Sequence, residues 1–349
     1  MKKTWSALLG SLVLLAGCGS GPGQAVDRPT PSSSAPTTAT SPSGSPDVGR
    51  GRDPYIRLAT ALHDRGVRVW FETDLVSAWL AGPPAFDAIV KRLARLGHVK
   101  GVVGFKIADE LGYHDGITSP AQATAFLRAA HQALAKVAPH AQVLIDMVVP
   151  QLGCLPSLDA SGRSCATAAA QTAPAATVSA VTRYLRTGWV DRLDLSTGLL
   201  DGSTYAGRGL DLKAAQQQAW TRVDRLGWSA LTTLQARKAL AQPGGYQGTA
   251  ADARTDLALY VGIPMSAGAG AVDIWTWRQP YEGATVSLLA PSLQPNPLWT
   301  GMERLQQAHV PLLTHMTPSQ MPASAADFAH ECDLAATVFA AVFVAAGTG

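Results

Sequence analysis

Charged and aromatic side chains are both scarce in this 349-residue chain: Asp, Glu, Lys and Arg make up 15% and Phe, Trp and Tyr 7%. No run of Lys and Arg can follow a phosphate backbone, and the formal charge of +3 includes Lys2 and Lys3 at the start. Nucleic acid is therefore not an expected partner. An acidic tract is missing too, and the charges are interspersed along helical patterns, where they make solvated faces. None of the eight histidines stands with cysteine or carboxylate at zinc-like spacing, so no metal is expected, nor does any motif call for an organic cofactor. A hydrophobic share of 47% is enough for a sizeable core, in two ordinary domains or, preferably, one large barrel.

Residues 1–18, MKKTWSALLGSLVLLAGC, join two lysines to an apolar stretch too short to span a bilayer comfortably, followed by small residues and a cysteine. This reads as an export signal. Its ending, Leu15-Ala16-Gly17-Cys18, resembles the bacterial lipobox, which implies cleavage before Cys18, lipidation of that residue and a place on the outer face of the cell membrane. An ordinary secretory signal with an incidental cysteine is the alternative. Residues 19–52 are almost all Gly, Ser, Thr, Pro and Ala, with nothing to bury, and read as a disordered tether.

From residue 53 to residue 308 helical and strand patterns alternate. The strand segments are VRVWFETDL, GVVGFKIADEL, AQVLIDMVV, VDRLDLSTGL, ALTTLQARK and VDIWTWRQP, with helices such as the one after Ser119 between them. Such alternation predicts parallel pairing with helical crossovers. Charge on one face of four strands favours a β/α barrel of TIM type over a doubly wound sheet, whose strands would be apolar on both faces. A closed barrel has eight strands as a rule and six are legible, so it is either incomplete or partly irregular. Residues 309–349 include the apolar LAATVFAAVFVAAGTG and are set aside as a tail of unknown role.

Of the four cysteines, Cys18 is assigned to lipid, Cys154 and Cys165 stand eleven apart in what reads as a polar loop, and Cys332 is left over. In an exported protein the middle pair is expected to form a disulfide.

Barrel enzymes carry their chemistry at the carboxyl ends of the strands. Those ends offer Glu72, Asp109, Glu110, Asp146, Asp194, Gln235 and Arg237, then Trp275, Trp277 and Arg278. If Phe105 and Ile107 face the helices, strand alternation turns Lys106, Ala108 and Glu110 towards the barrel axis. Paired carboxylates beside tryptophans suit glycoside hydrolysis, in which one carboxyl is the acid and another the nucleophile or base. Capping and salt bridges would use the same carboxylates, and tryptophans packed under the rim would look the same.

KIADELGY, WTWRQP and LLAPSLQPNPLWTGMERL resemble the retaining clan of glycoside hydrolase β/α barrels. The resemblance implies Glu110 as acid/base, and puts Gln235 where that clan has its nucleophile glutamate. Asp194, then Asp146, are the substitutes by strand-end position, and Glu282 is a further one. Glu72, Asp109, Gln235, Trp275, Trp277 and Arg278 are expected to bind substrate, a polysaccharide or cell-envelope glycan. Two other readings stay open: a lipoprotein that binds a glycan or other ligand without cleaving it, and a lyase that uses Lys106 as a Schiff-base amine.

Overall fold

The computed structural model describes residues 53–155, 159–200, 202–229, 232–236, 240–281 and 283–345, with only the backbone described at residues 159 and 232–236. The leader, Cys18 and the tether lie outside these residues, as do Arg237, Glu282 and the side chain of Gln235.

Eleven strands are present among the described residues: β1 (Arg68–Glu72), β2 (Val102–Lys106), β3 (Gln142–Val148), β4 (Arg192–Ser196), β5 (Thr232–Ala236), β6 (Gln242–Pro243), β7 (Ala271–Ile274), β8 (Arg278–Tyr281), β9 (Ala284–Ser287), β10 (Leu312–Met316) and β11 (Ala341–Val344). Eight of them close a parallel barrel in the order β1-β2-β3-β4-β5-β7-β10-β11, with β11 pairing back onto β1. Strands β6, β9 and β8 form a small antiparallel sheet beside it. The α/β barrel expectation holds, and the barrel is complete.

The boundary at residue 308 does not hold. Residues 309–345 contribute β10, the helix Ala325–Val338 and β11, and so supply the two strands the sequence left uncounted. All five residues of β10 and all four of β11 are buried. A strand covered on both faces has no polar alternation to announce it, and its apolar run merges with that of the preceding helix.

Local signals set the helices. Asp53 caps Pro54–His63 by accepting from the Tyr55 amide at 2.9 Å, and Ser119 caps Pro120–Val137 by accepting from Gln122 at 3.2 Å. Asn296 does the same for Pro297–Gln307 through the Trp299 amide at 2.9 Å. Each cap satisfies an amide that has no partner inside its helix, and a proline follows each where its missing N–H costs nothing. None of the described helices is long and apolar enough to cross a membrane.

Cys154 and Cys165 form the expected disulfide, with Cα atoms 5.5 Å apart. The segment it closes is not simply a loop, because the helix Asp159–Thr172 begins within it. The cystine packs with Leu155, Ala169, Leu200 and Tyr205 in a small core of its own.

The main core lies between barrel and helices. Val69 and Phe71, Val143, Ile145 and Met147, Leu193 and Leu195, Val272 and Ile274, and Val342 and Val344 all face outward into it. The alternate positions Trp70, Leu144, Leu313, Ala341 and Phe343 fill the lower barrel interior. Gly104 makes room for the Trp70 indole there: a Cβ at this position would collide with that ring and with the Gln142 carbonyl oxygen. Gly104→Ala is therefore expected to lower stability by about 1–3 kcal/mol, the usual cost of overpacking a filled core. Urea unfolding of the two proteins checks this, and equal midpoints would show that the floor of the barrel yields.

Candidate functional site

Above that apolar floor the interior positions become ionisable. Glu72 and Lys106 end β1 and β2, while Asp146, Asp194, Asp273 and His315 come from β3, β4, β7 and β10. Strand alternation aims all six inward, and they lie in the carboxyl-terminal half of the barrel, where this fold places reactive groups.

Lys106 is completely buried. Its Nζ lies 2.9 Å from Asp146 Oδ2, 3.3 Å from Asp194 Oδ2 and 3.9 Å from Glu72 Oε1. Burial opposes the ammonium charge, but Asp146, Glu72 and Asp194 together outweigh it and hold the lysine pKa well above its ordinary value. The three acids favour the ammonium form, which counts against the Schiff-base reading, since an amine must lose its proton to attack a carbonyl.

His315 bridges two acids. Its Nδ1 lies 2.7 Å from Glu72 Oε2 and its Nε2 lies 2.6 Å from Asp273 Oδ2. Burial works against the imidazolium, but Asp273 and Glu72 prevail and push the pKa up to about 10. The ring therefore donates from both nitrogens, and it rests against Phe343 with centroids 4.9 Å apart. At Asp194 burial comes first, then repulsion from Asp273, and both raise the carboxyl pKa well above the usual range in spite of Lys106.

Access is uneven. Lys106, Asp146, Asp194 and Asp273 are fully enclosed and His315 is nearly so, whereas the Glu72 side chain is 17% exposed. Glu72 is the member of the layer that meets solvent.

The sequence-predicted site is only partly assembled. Glu72, Asp146 and Asp194 come together, while Asp109 and Glu110 follow the end of β2, from where the charge of Asp109 still acts on Lys106. Strand β2 ends at Lys106, so alternation stops there; Glu110 stands in a turn at φ 54°, and Asp109 is exposed. The turn is fixed by the Leu111 amide donating to the Asp146 carbonyl and the Tyr113 amide donating to that of Glu110, each at 2.8 Å. Ala108, expected inward, belongs to the outer core.

Trp275 and Trp277 lie beyond the end of β7 and are nearly buried. Trp277 donates from its indole nitrogen to Glu331 at 2.8 Å and packs edge-on against Trp299, so it serves as a structural tie and not as a sugar platform. Arg278 grips the same carboxylate at 2.7 Å and the Gln320 carbonyl at 2.8 Å. Trp275 meets Tyr281 edge-on at 4.9 Å. The backbone of Gln235 is in register with Asp273.

Two members of the layer, Asp273 and His315, were not foreseen. His315 fell in the segment set aside as a tail. Asp273 shares the inward parity of Trp275, and counting only strand ends passed over it.

No family model and no curated protein matches the chain. Solved structures do match, at low identity. The carboxyl transferase domain of Rhizobium etli pyruvate carboxylase with pyruvate and biocytin is 11% identical, with a TM-score of 0.40 over 84% of this chain and 42% of that one. Dihydropteroate synthase from Stenotrophomonas maltophilia with active site-bound imidazole is 13% identical, with a TM-score of 0.41 over 80% of this chain and 86% of that one. The R. etli carboxylase with acetyl coenzyme A is 12% identical, with a TM-score of 0.39, and this chain spans 24% of its length. These values identify no family.

The glycoside hydrolase reading is overturned. The geometry denies the pair of carboxyls across an open cleft that the reaction needs. Asp146 and Asp194 are enclosed and ion-paired to Lys106, and Glu110 stands in the turn after β2.

Removing the lysine charge leaves these acids buried without it. Lys106→Met is expected to lower stability by about 3–5 kcal/mol, with part recovered when Asp146→Asn and Asp194→Asn are added. Urea denaturation of the two variants tests this, and a Lys106→Met protein as stable as the parent would refute it.

Proposed function

We propose that this chain is an acid–base enzyme of the β/α-barrel type, acting on a small polar substrate at the barrel mouth with Glu72 as the proton-exchanging group. One observation carries the reading: Glu72 is both the solvent-reaching member of the polar layer and the end of a hydrogen-bonded chain, Glu72–His315–Asp273, with links of 2.7 and 2.6 Å. A general base must be held in one orientation and still reach its substrate. His315 supplies the first condition, Asp273 fixes His315, and the 17% exposure of Glu72 meets the second. Lys106 is the fixed cation beside it, enclosed 3.9 Å away, and its field favours negative charge at the mouth without contact to the substrate.

Glu72→Gln keeps the shape and the acceptor oxygen but cannot take a proton. Against a panel of p-nitrophenyl esters, and of carbonyl compounds whose α-proton exchange in D2O is read by NMR, the parent is expected to turn over at least one member. The variant should lose about 100-fold or more while its far-UV circular dichroism shows it still folded. Full activity in the variant, or an inert parent across the panel, would leave the layer as a structural ion network.

The lipobox-like start supports placing this enzyme outside the cytoplasm, held to the membrane by lipid on Cys18. Cys18→Ser is expected to move the protein from the membrane fraction to the soluble one, and a variant that still sediments with membranes contradicts the anchor.

A further inference from the structure

We propose that Asp194, Asp273 and His315 form a binding site for one divalent first-row transition ion. Each offers a donor atom, and the three atoms lie within 4.8 Å of one another inside the barrel. Donors about 2.1 Å from a tetrahedral zinc stand about 3.4 Å apart, so small side-chain rotations close this set onto an ion. Two carboxylates with one imidazole suit zinc, cobalt or manganese, whereas calcium and magnesium favour oxygen alone.

Three observations point to an ion and not merely to acids brought together. Asp194 and Asp273 are fully buried, and the Oδ1 atom of each accepts no hydrogen bond among the described residues. Such atoms are rare in folded proteins and call for a partner. The layer also sets four carboxyl groups, Glu72, Asp146, Asp194 and Asp273, against two basic side chains, Lys106 and His315, and a cation between Asp194 and Asp273 would relieve the repulsion of that buried pair. Finally, His315 is already oriented as a ligand. Its Nδ1 faces Glu72 at 2.7 Å, the carboxylate–histidine arrangement that fixes a metal-binding ring, and an ion taken at Nε2 would replace the 2.6 Å contact with Asp273 and release the Nε2 proton to solvent.

Glu72 orients His315 whether or not an ion is bound, so the ion does not depend on the proton-transfer role proposed for Glu72. Lys106 lies 2.9 Å from Asp146 Oδ2 and 3.3 Å from Asp194 Oδ2, so an ion would meet Asp194 at its other oxygen, the unpartnered Oδ1.

The test uses the parent protein, freed of metal by chelator dialysis and titrated with ZnCl2 in a calorimeter. One equivalent per chain is expected, with a rise in melting temperature as bound ion favours the folded state. Asp194→Asn, Asp273→Asn and His315→Gln are each expected to weaken binding about 100-fold or more. Should these variants fail to fold, CoCl2 added to the parent gives a second readout: d–d absorption bands and a hyperfine-shifted imidazole N–H from one histidine. No binding up to about 1 mM zinc, undiminished binding in a folded His315→Gln protein, or cobalt bands without an imidazole signal would each overturn the site. The two readings fail separately. A parent that takes no zinc yet loses turnover in Glu72→Gln rejects the ion alone, and one that binds zinc here while Glu72→Gln stays active rejects the proton transfer alone.

Discussion

The ammonium group of Lys106 is the constraint around which the barrel interior is arranged. A charge held entirely away from water is tolerated only among opposite charges at short range, and Lys106 finds them on three other strands, β1, β3 and β4. What the contact supplies is specificity of register more than net stability. A slip of one residue in any of those strands would turn its carboxylate out among the helices and bring an apolar side chain in. The parallel pairing observed, with Lys106 opposite Glu72 on one side and Leu144 on the other, keeps all three acids within reach.

His315 does for the opposite wall what Lys106 does for its own. Between Glu72 and Asp273 it links β1 to β7, spanning β11, whose Phe343 lies under the ring. The two bases share Glu72, so a single carboxylate couples both halves of the layer. Beneath lies a floor of Trp70, Leu144, Leu313, Ala341 and Phe343, and above it the mouth admits solvent to Glu72 first. This gradient from dry to wet within a few residues of strand is what the proposed proton transfer would use: electrostatic interactions are strong where water is excluded, and Glu72 is reached from one side.

Much of this was legible in the sequence, and the gaps have physical causes. Alternation of charge with hydrophobic residues in RVWFE, VLIDMV and RLDLS marked inward faces correctly, because a strand with a polar interior and an apolar exterior has period two. The same rule misplaced Glu110, since periodicity has no meaning once a chain leaves the strand, and the turn after Lys106 leaves it at once. Strands β10 and β11 are covered on both sides and show no period, so His315 could not be assigned to the barrel. The tryptophans of WTWRQP misled for a related reason. A buried indole that donates to Glu331 and one that stacks on a ligand have the same letters around them, and only the partner distinguishes them.

The pairing of β11 with β1 carries a consequence for the order in which the protein can be made. These strands are neighbours in space although one begins at residue 68 and the other at residue 341. A chain emerging from the ribosome can bury its early helices and pair β1 with β2 and β3, but the seam beside β1 stays open until almost all of the sequence is available. Until then Glu72 has no histidine and the barrel has two exposed edges, which are templates for unwanted pairing. The final steps of folding are therefore non-local ones, intrinsically slow, and they complete the fold and the polar layer in the same event.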